Sequence, residues 1–194
     1  MEEYNFIDKN GECIIDVFCR ECISTDEFEK IKRIDDGYWN YLKKDGTLLS
    51  KEWFRQTHSF YDGLAHVERE DGLWNHIKKD GTYLTDEWFE RIEYFCEGFC
   101  PVQRTDHTYT FLSKDGKILI DYGFYTVHNF CEGLAVVSSK DIKSGDIFYN
   151  YLKKDGTFLF EKWLVEADDF KNGKAIIKIK WHQHVIDKDG NFIN

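Results

Sequence analysis

The stretch DGLWNHIKKDGTYLTDEWFERIEYFCEGFCPV, residues 71–102, decides the fold, because its landmarks return along the whole chain. Its turn, Lys78-Lys79-Asp80-Gly81, has five counterparts: DKNG ending at Gly11, KKDG at Gly46, SKDG at Gly116, KKDG at Gly156 and DKDG at Gly190. These glycines stand 35, 35, 35, 40 and 34 residues apart, a period that signifies repeated supersecondary units. The single long step locates an insertion within Ser138–Phe148, around KDIKSGD at 140–146, where a protruding loop is expected.

Registering the units on that glycine shows what each position requires. Lys lies two residues before it every time (Lys9, Lys44, Lys79, Lys114, Lys154, Lys188), and Ile or Leu lies four before and three after. An aromatic residue stands seven before in five of the six (Tyr4, Trp39, Trp74, Tyr109, Tyr149). Asp-Gly or Asn-Gly between such residues is a hairpin signal, since these residues tolerate the positive φ that tight turns demand. A second block, FYDGLAHV at 60–67, FCEGFCPV at 95–102, FCEGLAVV at 130–137 and FKNGKAII at 170–177, reads as a turn entering another short strand. Each unit therefore contains three or four short strands. The first unit departs from this: Ser24-Thr25-Asp26-Glu27 forms a capping-box pattern before Phe28 and Ile31, so a short helix capping the array is expected near 25–33.

Composition sets outer bounds. The 194 residues carry 36 Asp plus Glu against 26 Lys plus Arg, a formal charge of −10, opposite in sign to what a phosphate-backbone binder uses. Hydrophobic residues at 42% place the chain among globular proteins, and the sequence lacks the long apolar run of a membrane span. The start, Met1-Glu2-Glu3-Tyr4-Asn5, does not resemble a secretory leader, so a cytoplasmic location is expected. Six cysteines (Cys13, Cys19, Cys22, Cys96, Cys100, Cys131) are read as reduced thiols acting as small hydrophobes.

The units 71–102 and their siblings resemble the bacterial WG-containing repeat, in which an aromatic-rich strand, a turn with Gly and a later F-x-E-G-[LF]-A-x-V block alternate. The resemblance runs from Tyr4 to Asn194, with Asn40, Asn75 and Asn150 standing where the naming glycine would be. It implies an all-β repeat protein and a non-enzymatic binding module.

A 35-residue unit buries too little apolar surface to fold alone, so neighbouring units must share a core. The expected architecture is one repeat domain over 1–194, with units at 4–38, 39–73, 74–108, 109–148 and 149–182 and a terminal hairpin at 183–194. An open β-solenoid-like stack is favoured over a five-bladed propeller. Stacking turns equivalent positions into columns. The column Asn5, Asn40, Asn75 and Asn150 reads either as an amide ladder donating from unit to unit or as polar positions facing water. The turn lysines with Asp45, Asp80, Asp115, Asp155 and Asp189 read as a solvated, charged rim. In the pairs Trp53-Phe54, Trp88-Phe89 and Trp163-Leu164, consecutive strand residues must face opposite ways. One member of each is either an exposed binding stripe or second-layer core.

No nucleophile elbow, phosphate loop or dinucleotide fingerprint occurs, and no catalytic residue, cofactor or metal is assigned. The expected function is protein interaction through Trp53, Trp88, Trp163 and the loop residues Lys143 and Asp146. The partner is a protein, in a concrete version a basic one covered by this chain as an acidic inhibitor or immunity-type protein; nucleic acid and membrane are not expected. Two alternatives stand beside this reading. One is a metal-binding or enzymatic protein centred on Cys19 and Cys22, a single CxxC, or on His182 and His184, two apart on one strand face. The other is an envelope or glycan-binding repeat protein using exposed aromatic residues.

Overall fold

Within the described residues, every Asp-Gly turn singled out above reverses a strand. The computed structural model describes the backbone of residues 19–24 and the whole of residues 28–193, so the expected hairpin at Gly11 and the residues Tyr4, Asn5 and Cys13 lie outside it. The described residues are all-β, with five small antiparallel sheets among them formed in strict chain order. The first joins β1 (Cys19–Ser24), β2 (Phe28–Arg33) and β3 (Trp39–Lys43); the second joins β4 (Gln56–Thr57), β5 (Leu64–Glu68) and β6 (Trp74–Lys78). The third joins β7 (Arg91–Ile92), β8 (Phe99–Gln103) and β9 (Tyr109–Ser113); the fourth joins β10 (Thr126–Val127), β11 (Leu134–Lys140) and β12 (Ile147–Lys153). The fifth has four strands, β13 (Glu166–Ala167), β14 (Lys174–Ile179), β15 (His182–Asp187) and β16 (Phe192–Ile193).

The repeated turn is closed by its own residues. In the Gly46 turn, Lys43 N–H donates to Thr47 O at 2.9 Å and Gly46, at φ 84°, donates to Lys43 O at 3.0 Å. The Asp45 carboxylate accepts the Thr47 N–H and hydroxyl, which holds its pKa low, and Asp80 with Thr82 and Asp155 with Thr157 repeat the arrangement. Beyond the turn the returning arm makes one bridge, Leu42 to Leu48 in the first sheet, then leaves the sheet.

What the returning arm does next is decided by the asparagine column. Asn40 is fully buried; its Nδ2 donates to Ser50 O (2.9 Å) and Glu52 O (3.0 Å), and its Oδ1 accepts the Tyr41 N–H. Asn75 does the same with Thr85 O, Glu87 O and His76 N–H, and Asn150 with Phe160 O and Tyr151 N–H. Both readings of this column are corrected: the side chains neither ladder between units nor face water, but pin their own unit's loop ten to twelve residues on. A buried amide satisfied locally needs no neighbour. Thr110 fills the equivalent place with one bond, to Ile120 O.

Two compact units arise, Met1–Trp88 and Phe89–Asn194. In the first, Phe28 and Tyr41 of one sheet pack with Ala65, Val67 and Ile77 of the next. In the second, the fourth sheet is buried on both faces. Ala135, Val137 and Leu152 join Phe111, Phe124 and Phe130, while Leu134, Val136 and Tyr151 join Phe170, Ala175, Ile177 and Ile186. Each of the buried Val, Leu, Ile and Phe side chains among these is worth about 1.5–3 kcal/mol, so the cores that sheets share supply what no single sheet has.

The helix expected near 25–33 is corrected. Phe28–Arg33 is strand β2, paired on both sides, with Ile31 fully buried opposite Asn40. Two strand neighbours satisfy the backbone there, and a local capping pattern cannot compete with them; residues 25–27 lie outside the described set. The insertion is where the spacing places it: β11 and β12 are lengthened to seven residues each around an exposed turn in which Ile142 is 97% exposed.

Candidate partner-binding site

The site is built at the sheet edge where the second strand turns into the third. One residue past the position paired with Trp39, Trp74, Tyr109 or Tyr149 stands Arg33, Arg69, Arg104 or Ser139 in successive sheets, and the loop after the third strand brings back Trp53, Trp88, Gly123 or Trp163. Of the consecutive pairs, Phe54, Phe89 and Leu164 are the buried members, and the three indoles are half-buried. Trp88 and Trp163 thus pack as a second layer against the cores of their units, and none of the three indoles is a bare stripe. Each has one side packed and, in two of three cases, a cation over the ring.

In the first unit the Arg33 guanidinium carbon lies 4.8 Å from the Trp53 ring centre, and that of Arg69 lies 4.2 Å from Trp88. Both arginines are themselves held: Arg33 pairs with both carboxylate oxygens of Asp36, and Arg69 Nη2 lies 2.6 Å from Asp71. Asp36 is kept below the usual carboxylate range by the Arg33 hydrogen bond. Asp71 is lowered too: desolvation opposes, but the Leu73 N–H and Arg69 prevail. Around Trp53 lies an open cleft of about 750 Å³ lined by Arg33, Asp36, Tyr38, Glu52, Arg69, Glu70 and Asp71. Its four carboxylates outnumber its two guanidinium groups, giving an acidic, aromatic floor.

In the second unit an open cleft of about 670 Å³ is lined by Ser139, Lys140, Asp141, Ile142, Lys143, Phe148 and Trp163. Asp141 shapes the loop: its carboxylate accepts the N–H groups of Lys143 and Ser144, both at 2.8 Å, which keeps it ionised. Of the residues predicted for binding, Trp163 and Lys143 are brought together here, Trp53 lines the first cleft, and Trp88 lies under Arg69, which also lines the first cleft. Asp146 is exposed in the same loop but does not line the cleft. The row is interrupted at Gly123, where a Cβ would lie 2.2 Å from Thr108 Cβ. Sequence reasoning missed the arginines, although the Arg33, Arg69 and Arg104 recurrence was visible.

The charged rim is also more engaged than expected. Lys154 Nζ lies 2.9 Å from Glu97, and Lys188 Nζ lies 3.9 Å from Glu132.

The other candidate chemistry does not converge. His184 is half-buried against Phe192, at 5.0 Å between ring centres, while His182 is exposed. The side chains of Cys19 and Cys22 lie outside the described set. Cys96, Cys100 and Cys131 are free thiols, and burial pushes Cys100 up to about 12. His58, His66 and His76 lie in a row, the first two stacked at 5.3 Å and the last two edge to face at 4.6 Å, rather than aimed at one point. No group of three or more His, Cys, Asp or Glu that suits a metal occurs among the described residues.

Compared with solved structures, the chain is similar to the WD40 beta propeller domain of Doa1, with 13% identity over 91% of this chain and 67% of that one and a TM-score of 0.32. It is also similar to BamB from Moraxella catarrhalis, with 10% identity over 97% of this chain and 68% of that one and a TM-score of 0.36. A third similar structure is Hsv2p from Kluyveromyces lactis, with 14% identity over 89% of this chain, which spans only 58% of that one, and a TM-score of 0.40. No protein-family model matches the chain, and no curated protein does.

Proposed function

We propose that this chain is a non-enzymatic protein-interaction module that offers a repeat-built edge to a macromolecular partner. One observation carries the reading: each compact unit has an open cleft at the same repeat position, beside the indole that follows a sheet's third strand, Trp53 in one and Trp163 in the other. Tryptophan and arginine at such edges are the residues that dominate protein interfaces. The charge of −10 and the acidic cleft at Trp53 favour a basic partner, whose encounter long-range attraction would speed. In its concrete form the protein is an acidic inhibitor or immunity-type protein that covers a basic partner in the cytoplasm, without nucleic acid, membrane or cofactor. The resemblance to WG-containing repeats supports binding over catalysis.

Affinity capture from the native cell tests this. The intact chain should recover a basic protein, and Trp53→Ala or Glu70→Lys should lose it, with association slowing as salt rises. Recovery of the same proteins by all three chains would refute the reading.

A further inference from the structure

The two clefts differ in one respect that the repeat makes legible. In the first unit, Trp88 sits in a complete clamp. Tyr83 packs against it at 4.9 Å, the Arg69 guanidinium covers its ring at 4.2 Å, and Asp71 holds that guanidinium at 2.6 Å. Strand register assigns the equivalents in the fourth sheet. Glu68 opposite Gln56 corresponds to Ser138 opposite Thr126, so Arg69 corresponds to Ser139; the fourth sheet then stays paired through Lys140, so Asp141 enters from the lengthened hairpin rather than from a tight turn like that of Asp71. Tyr83, bridged to Ile77, corresponds to Phe158, bridged to Leu152. Phe158 packs against Trp163 at 5.4 Å, as Tyr83 packs against Trp88. Aromatic wall and indole are therefore retained at Trp163, the arginine is exchanged for serine, and a carboxylate, that of Asp141, lines the cleft from the insertion.

The exchange coincides with the insertion. Lys140, the next cation along, lies 5.0 Å from the Tyr125 ring, and among the described residues no cation lies over the Trp163 ring. The lengthened hairpin instead raises Ile142, Lys143 and Phe148 around the indole as the walls of an open cleft.

We infer that the cleft over Trp163 receives an arginine side chain from a protein partner, completing between two molecules the Asp–Arg–Trp clamp that Arg69 completes within one. A planar guanidinium stacks on an indole and can pair with a carboxylate at its edge, and Asp141 is ionised to receive it. An ammonium group matches that geometry less well, and a neutral urea isostere lacks the charge. Ile142 and Phe148 would enclose the partner's alkyl stem and backbone. This rests on the protein-interaction reading for the source of the arginine, but not for the chemistry of the cleft.

The test is a titration of the isotope-labelled full chain with a capped Gly-Arg-Gly tripeptide, followed at the tryptophan indole N–H resonances; the Trp163 signal is assigned by its loss in Trp163→Phe. The Trp163 resonance should move saturably while those of Trp53 and Trp88, already covered by Arg33 and Arg69, stay put. The lysine tripeptide should bind at least about 3-fold more weakly and the citrulline tripeptide not measurably. Ser139→Arg, which supplies the guanidinium from within, should abolish the response, and Arg69→Ser should make Trp88 responsive. A silent Trp163 beside a responsive Trp88 in Arg69→Ser overturns the proposal, as does equal binding of the citrulline form. Tighter binding of free arginine than of the capped tripeptide overturns the protein source. Because no partner is needed, the titration can succeed even if affinity capture fails, which separates the two readings.

Discussion

The Glu97 carboxylate reaches the turn one unit further on and accepts the backbone N–H of Gly133 at 2.9 Å with one oxygen and that of Glu132 at 2.7 Å with the other. Glu132 then repeats the gesture, accepting the N–H of Gly173 at 2.8 Å. The turn residues thereby become staples between consecutive sheets of the second unit. Each spends a carboxylate on donors that a left-handed turn leaves pointing outward, Glu97 and Glu132 themselves sitting at φ near 50°.

Glu97→Ala should therefore lower the stability of this unit by about 1–2 kcal/mol, the range of a charge-assisted hydrogen bond partly screened by solvent. Lys154→Ala should cost less, since it removes only an exposed ion pair. Lys154 and the two turn amides hold the Glu97 pKa below its ordinary value of 4.5, with desolvation opposing. Its contribution is accordingly complete above that pH and is lost as pH falls through the lowered value. Denaturant melts of the two variants at pH 7 and pH 3 check both statements: the Glu97→Ala deficit should shrink at the lower pH.

The buried histidines give the first unit an acid sensitivity of the same direction but of another cause, since here a neutral buried group must take up charge. His66 and His76 are lowered to about 4 and about 3, first by desolvation and then by neighbouring histidine charge, with Lys30 adding to the same effect at His58. Unfolded, these imidazoles would protonate near 6.5. Stability is full above that value and falls as pH drops towards the folded-state values, by up to about 1.4 kcal/mol per pH unit per histidine. Tyr41, Phe111 and Tyr151 occupy the position of His76 in other sheets. His76→Phe should consequently gain stability at pH 5 relative to pH 8, as read from thermal melts at the two values.

The buried amides make a third prediction. Asn150→Ala leaves Phe160 O and Tyr151 N–H without their partner and should cost about 2–3 kcal/mol. Asn150→Thr should cost less, because Thr110 performs one of these bonds in its own unit. Urea unfolding of both variants decides it, and equal losses would contradict the pinning role.

These residues also mark how far the sequence could be read. The turn spacing was legible because each Asp-Gly turn satisfies itself within four residues, so its signature is local. The asparagines were not, because their acceptors lie ten and twelve residues away on a loop with no pattern of its own. Near residue 28 the local signal misled: Ser24 and Glu27 spell a helix start, but Ile31 is claimed by pairing with strands on both sides. At the candidate site the tryptophans stood out as residue types. That Arg33 and Arg69 cover two of them and Ser139 leaves the third to a cleft depends on register across sheets, which spacing alone does not supply.

Glycine substitutions separate conformational need from close approach. Gly98 has φ 94° and nothing within 4 Å of a would-be Cβ, so Gly98→Ala should cost only the left-handed conformation, about 1–2 kcal/mol. Gly81 has a similar φ of 87°, but its Cβ would lie 2.2 Å from the backbone oxygen of Leu49 in the preceding sheet. Backbone cannot swing aside as a side chain can, so Gly81→Ala should exceed that cost, reaching roughly 3 kcal/mol or more. Gly156, whose nearest backbone oxygen is that of Leu119 at 3.5 Å, should behave like Gly98. Thermal melts of the three alanine variants test the order. If Gly81→Ala proved no worse than the others, the contact between successive turns in the first unit would be looser than the 2.2 Å approach requires.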